Sequence, residues 1–248
     1  NVDVVWDEAV VIHYKNTLEK IEQVCTQLAT IQEHEITELD SWLTSQFYST
    51  LQIINQSLEE YNLRDLASFS YFTIADMFKW YIRRGGKSKR TCEILRKEWI
   101  KLLCPITPHL AEELAESFEC LEKNEFISTS SWPKSNEDKI SQVALSSEDL
   151  IRTTMEGMRS IIKLAKLDNP KKFTLYIAQS WLYDLFRSVQ QEIAITRNMG
   201  EIIRKVLSIE GMQPKGKEIS KIIGMLLKDV SKIPQVITSM NAEYNTLK

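Results

Sequence analysis

Residues 99–116, WIKLLCPITPHLAEELAE, constrain the fold more than any other stretch of the chain. The apolar helical run Trp99, Ile100, Leu102 and Leu103 meets Pro105. Proline has no N–H and clashes with the preceding turn, so the helix must end or kink there. Thr107-Pro108 restarts it, since threonine is a good N-cap and proline suits the first helical position. Leu110, Ala111 and Leu114 form the apolar stripe of the new helix, and Glu112, Glu113 and Glu116 are expected to face water. Leu103, Pro105, Ile106 and Leu110 are expected to meet at this junction on a bundle core. On spacing alone, this is a proline kink in an all-helical protein.

The flanking sequence repeats the helical period. Val11, Tyr14, Leu18, Ile21, Val24 or Cys25, and Leu28 recur at three and four, predicting a helix over 7–30. Thr37 or Asp40 caps a second helix reaching about Tyr61, with Leu39, Trp42 or Leu43, Phe47, Leu51, Ile54 and Leu58 on its narrow face. A third covers 63–82, with Leu66, Ser70, Ile74, Met77 and Tyr81 on one face, and stops at Gly85-Gly86. A fourth runs from about Ser88 to Cys104, and the kinked fifth to about Ser117. The predicted fold is mostly α: an up-down helical bundle over 1–118, a connector over 119–146, and a smaller, mainly helical domain over 147–248 with one or few strands. Trp132 is read as packing the connector onto the bundle.

In the second domain Ser146 or Ser147 is expected to open a helix over 148–167, with Leu150, Ile151, Met155, Met158, Ile161, Ile162 and Ala165 inside. Residues 173–178, FTLYIA, alternate as a strand does, and a lone strand needs a ladder for its backbone groups. Its partners are expected beyond Lys248. Ser180 caps a helix over 181–194; helices over 198–208 and 215–231 follow, and 235–247 is weakly helical.

Charge alternates along the chain. Residues 1–80 hold 4 Lys/Arg against 13 Asp/Glu, residues 81–101 hold 8 against 2, residues 102–160 hold 5 against 11, and residues 161–248 hold 14 against 8. The net charge of −3 argues against a simple nucleic-acid binder, but its distribution leaves two basic zones. Cys25, Cys92, Cys104 and Cys120 form no CxxC pair and read as free thiols in a reducing, cytoplasmic compartment. The scattered His13, His34 and His109 give no metal site and no general base. No apolar run approaches the ~20 residues of a membrane span. The chain opens on Asn1 without a Met or a signal segment, as a piece of a longer protein would.

The run Pro105-x-x-Pro108-His109-x-x-Glu112-Glu113-Leu114 resembles the PxxPHxxEEL segment of the anticodon-binding helical bundle of class I aminoacyl-tRNA synthetases of the leucine, isoleucine, valine and methionine group. Ser131-Trp132-Pro133 is also usual there. Lys163-Leu164-Ala165-Lys166, Asn169-Pro170, Tyr176-Ile177-Ala178 and then Trp181 are similar to the segment after that bundle in archaeal/eukaryotic-type leucyl-tRNA synthetases. The HIGH and KMSKS motifs are absent; Gly86-Lys87-Ser88-Lys89-Arg90 is only superficially like the latter. The resemblance implies a tRNA-binding C-terminal part without catalytic residues or cofactor of its own, with ATP and Mg used elsewhere in the parent leucine-tRNA ligase. The editing domain and strand-rich tail of that family are not present. The implied partners are tRNA-Leu and the remaining domains of the parent enzyme, not a membrane or DNA.

The first candidate RNA contacts are Arg83, Arg84, Lys87, Lys89, Arg90, Arg96, Lys97 and Lys101, because Arg and Lys neutralise phosphates and release counterions. Gly85 and Gly86 would let the backbone approach the RNA. Cations offsetting a helix C-terminus are the bland alternative. The second group is Lys163, Lys166, Lys171 and Lys172, with Arg197, Arg204 and Lys205 as additions; its bland reading is a solvated amphipathic helix. The resemblance implies phosphate and shape contacts with the long variable arm and corner of tRNA-Leu, not anticodon reading. One shared basic surface is expected. The alternatives are the same region of an isoleucyl- or valyl-tRNA synthetase, and a non-enzymatic helical scaffold that binds protein through its acidic bundle.

Overall fold

Asp7 opens the first helix by accepting the N–H of Ala9 at 2.9 Å. From there a computed structural model describes residues 7–121, 125–209, 211–228 and 240–247. These contain eleven α-helices and no β-strand. The chain divides into two units, residues 1–145 and 146–248, and the division falls inside a helix.

In the first unit the helices are α1 (Glu8–Ala29), α2 (Glu38–Glu59), α3 (Leu63–Ser68), α4 (Ile74–Arg83), α5 (Lys89–Leu103) and α6 (Pro108–Ser117). α1 packs on α4, α5 and α6, and α2 on α3, α4 and α5. Their apolar stripes meet in a core of Phe47, Leu51, Ile54, Ile74, Phe78, Leu95 and Trp99, all buried. Each such side chain stabilises the fold by about 1.5–3 kcal/mol through burial. The stripes fade at their ends: Val11, Tyr14 and Leu58 are exposed.

The single helix expected over 63–82 is two helices joined by a wider turn, Phe69–Thr73. There the Ile74 N–H bonds to the Phe69 carbonyl instead of Ser70's. The released Ser70 carbonyl accepts the indole N–H of Trp99 at 2.7 Å, which satisfies the one polar atom of a fully buried Trp.

The proline junction lies nearer the surface than expected. Leu103 is buried, but Pro105 and Ile106 are exposed. Thr107 holds the N-cap position of α6 without capping it; its hydroxyl hydrogen-bonds the Tyr71 hydroxyl at 2.6 Å, and Tyr71 donates to the Leu103 carbonyl at 2.9 Å. Glu112 does not simply face water. Its carboxylate accepts the N–H groups of Ile127 and Ser128 at 2.8 and 3.0 Å. Burial opposes its charge, but the two N–H bonds outweigh that and hold its pKa below the usual range. The connector is thus strapped to the bundle. Trp132 donates its indole N–H to Asn55 at 2.8 Å, and Ser45 accepts the Ser141 N–H at 2.9 Å.

Four helices end alike. Asn62, Gly86, Cys120 and Leu167 each donate an N–H back five residues, to Ser57, Tyr81, Ala115 and Ile162. The residue before each donor is left-handed: Tyr61 at φ 56°, Gly85 at 81°, Glu119 at 50° and Lys166 at 50°. Only one of the four is the glycine that this motif favours.

α7 (Gln142–Ala165) starts earlier than the Ser146/Ser147 cap predicts, because the Ser141 hydroxyl accepts the Ala144 N–H. None of its predicted stripe is fully buried, and Ile161 and Ala165 are exposed. In the second unit α8 (Ser180–Ile193), α9 (Met199–Leu207) and α10 (Gly216–Lys228) enclose Leu185, Val189, Ile202, Val206, Ile219 and Ile223. Ser180 is the first residue of α8 and not its cap. α11 (Met240–Leu247) contributes the Glu243 carboxylate, which accepts from the Tyr183 hydroxyl. Residues 173–178 form no strand: Phe173, Leu175 and Tyr176 are exposed, and no described residue offers a ladder. Alternation alone cannot satisfy backbone donors and acceptors. The ends expected around 229–239 lie outside the described residues.

Candidate nucleic-acid interface

α4 ends in the left-handed Gly85, and α5 begins at Ser88, whose hydroxyl accepts the Thr91 N–H at 3.2 Å. Between and just beyond these points lie Arg83, Arg84, Lys87, Lys89 and Arg90, all exposed. No Asp or Glu occurs from residue 77 to residue 92, so the segment has no carboxylate of its own to neutralise it. The guanidinium of Arg83 lies 5.7 Å from the Trp80 ring centroid. Lys89 is 3.7 Å from Glu93 one turn on, an exposed pair worth little. The Glu33 carboxylate, from the α1–α2 loop, accepts the Arg90 N–H at 2.9 Å.

Beneath the loop lies a polar chain that the sequence reading missed. Asp40, 2% exposed, accepts the Thr37 N–H and hydroxyl at 2.7 and 2.8 Å and also the Tyr81 hydroxyl. The Tyr81 oxygen in turn accepts the Ser88 N–H at 3.0 Å. Burial, with the Asp40 carboxylate beside it, pushes the Tyr81 phenol far above its ordinary pKa, so it remains a donor. Gly86 packs on the Tyr81 ring; a Cβ there would lie 2.2 Å from Tyr81 Cζ. That contact explains Gly86 better than close approach to RNA. The available signal was Asp40 three residues after a Thr at a helix start, together with Tyr81 shortly before paired glycines.

The other predicted contacts of the first unit separate from this loop. Arg96 is only 6% exposed, with its guanidinium 4.5 Å from the Phe118 centroid and a weak bond to the Cys25 carbonyl. It is a core residue and cannot meet a phosphate from there. Lys97 is half-buried; Lys101, 11% exposed, is bound to Glu98 at 3.0 Å. In the second unit, Lys163 and Lys166 end α7, Lys171 and Lys172 lie in the extended segment after it, and all four are exposed. Arg197 and Arg204 are also exposed, whereas Lys205 is bound to Glu192 at 2.5 Å. Trp181 is half-buried under Lys215, whose Nζ lies 3.9 Å from its ring centroid. Among the described residues no group of three or more His, Cys, Asp or Glu could hold a metal ion, and no helix is long and apolar enough to cross a membrane.

The basic loop 83–90 joins α4 to α5, ahead of the PxxPHxxEEL segment that leads into α6. Residues 40–177 match the model of the anticodon-binding domain of tRNA ligase. The chain belongs to that family. The anticodon-binding-domain match covers α2 to the extended segment after α7, and so includes the basic loop and the four lysines 163–172. Relatives carry the likeness further. The leucine–tRNA ligase of Methanococcus aeolicus is 30% identical over 223 residues, 88% of this chain and 22% of the relative. That of Methanococcus vannielii is 35% identical over 196 residues, 79% of this chain and 20% of the relative. That of Pyrococcus furiosus is 27% identical over 232 residues, 90% of this chain and 23% of the relative. The chain spans about a fifth of the length of these curated relatives.

Proposed function

We propose that this chain is the tRNA-docking part of a leucine–tRNA ligase. It holds tRNA-Leu through phosphate and shape contacts, and leucine is ligated with ATP and Mg by other domains of a cytoplasmic enzyme. The observation that supports this reading best is the loop 83–90, which carries five exposed cations and no carboxylate. Arg83, Arg84, Lys87, Lys89 and Arg90 are the primary phosphate contacts; Lys163, Lys166, Lys171 and Lys172 are the second group. Lys97 and Lys101 are secondary, and Arg96 has no part in it.

Measuring the affinity of the chain for tRNA-Leu against salt tests the proposal. Neutralising about six phosphates makes the affinity fall by about 10³-fold between 50 and 200 mM salt. Replacing the anticodon of tRNA-Leu leaves binding unchanged. Salt-independent binding refutes the docking role, and dependence on the anticodon points to an isoleucyl- or valyl-type enzyme.

A further inference from the structure

We propose that Asp40, Tyr81, Ser88 and Gly86 form a positioning device that pre-shapes the loop 83–90 for RNA phosphates. The inference rests on the docking role proposed above and names what holds that surface in place.

The loop is electrostatically awkward. Five like charges within eight residues repel one another and favour an expanded, mobile segment. The Tyr81 hydroxyl opposes this, beside the Gly86 N–H bond to the Tyr81 carbonyl and the Glu33 carboxylate on the Arg90 N–H. Tyr81 lies two residues before Arg83, and its oxygen accepts the N–H of Ser88, one residue after Lys87. Entry and exit of the Arg83–Lys87 stretch are therefore tied to the same atom. Ser88 is fully buried and also caps α5, so Lys89 and Arg90 inherit its position. Gly86 closes the turn flat against the Tyr81 ring, where any larger residue would force it away.

The anchor itself is stiff. Asp40 is a buried carboxylate to which Thr37 and Tyr81 donate, and burial makes the loss of either donor costly. Loosening Tyr81 would leave a buried charge short of a partner, so the phenol is held at α2 and holds the loop in turn. A loop ordered in advance does not pay for its ordering when RNA binds.

A double-mutant cycle on the full chain, read as tRNA-Leu affinity at 100 mM salt, tests this. Tyr81→Phe keeps the ring and removes the hydroxyl; it lowers affinity about tenfold, the loss set by one buried hydrogen bond. Hydrogen exchange at residues 85–90 accelerates in the same variant. Lys87→Ala costs about fivefold in the unaltered chain but under twofold beside Tyr81→Phe, because a slack loop no longer presents Lys87. Lys171→Ala, in the second unit, costs the same in both backgrounds. Gly86→Ala, whose Cβ would press on the Tyr81 ring, disturbs the loop by a second route, and it reproduces the coupling if Tyr81→Phe folds poorly. Multiplicative effects of Tyr81→Phe and Lys87→Ala overturn the proposal, since a purely stabilising role gives no coupling. Faster loop exchange with unchanged affinity overturns it too. If Lys87→Ala and Lys171→Ala are both silent in the unaltered chain, the docking role itself fails and this inference falls with it.

Discussion

Arg96 separates charge from position, because its sequence context matches the loop cations and its environment does not. Replacing it with Met removes a cation–π contact with Phe118, worth about 1–2 kcal/mol when desolvated, and a 3.4 Å hydrogen bond worth under about 1 kcal/mol. It also removes a buried Nε–H that has no partner, which costs about 1–3 kcal/mol. Met is similar in length, adapts to irregular space and sets its sulfur against the same ring. The terms offset, so Arg96→Met is expected to change stability by no more than about 1 kcal/mol. Arg96→Ala deletes the packed stem as well and is expected to cost about 2–4 kcal/mol. Urea denaturation gives both values, with equal m-values showing that the unfolded ensemble is unaltered. In the same preparations, tRNA affinity and its salt slope should match those of the unaltered chain for Arg96→Met. A slope shallower by about 0.7–0.9 would mean that Arg96 neutralises a phosphate, and its assignment to the core would be wrong.

Two further outcomes follow from the packing. Glu112 has a folded pKa below its unfolded value, so its contribution is complete above the unfolded value and is lost as pH falls through the folded one. Glu112→Gln should therefore cost about 1 kcal/mol at pH 7, after discounting for solvent at this half-exposed site, and the gap in thermal midpoint should close as the pH falls through and below the ordinary carboxylate range. Tyr61 is 89% exposed at φ 56°, so Tyr61→Gly relieves a left-handed side chain while losing little packing. It should raise stability by about 1 kcal/mol, or about 2–4 °C in melting temperature; a fall would show that the ring is held by contacts.

The bundle was legible because apolar spacing carries it. The stripe Leu66, Ser70, Ile74, Met77 and Tyr81 is buried at every position, and the Pro105 break with Pro108 at the next helix start appears where proline chemistry requires. Periodicity could not show the π-turn at 69–73, because that turn answers a tertiary demand, the Trp99 indole. It also misjudged 173–178, where an alternating pattern stands without a partner edge. At the candidate site, charge density found the loop but could not tell surface from core along α5. Arg90 and Arg96 are both cations of one helix six residues apart, and they differ only in which neighbours the helix turns toward them. The Asp40–Tyr81–Ser88 chain was invisible for the opposite reason: its members are 41 and 7 residues apart and meet only once the helices pack.

The placement of the cations follows from what a helix does to charge. On a helix face, residues three or four apart are neighbours, and this chain uses them to pair Lys101 with Glu98 and Lys89 with Glu93. A helical surface dense in lysine therefore tends to acquire its own counter-ions and offers less to a phosphate. At Arg83 and Lys87 the left-handed Gly85 has ended the helix, and no Asp or Glu lies within four residues along the chain. Their mutual repulsion is then left for the fold to oppose. The groups that oppose it, a buried carboxylate and the phenol bonded to it, are uncharged toward solvent or shielded from it. They hold the loop from beneath, without placing a charge beside its cations in solvent.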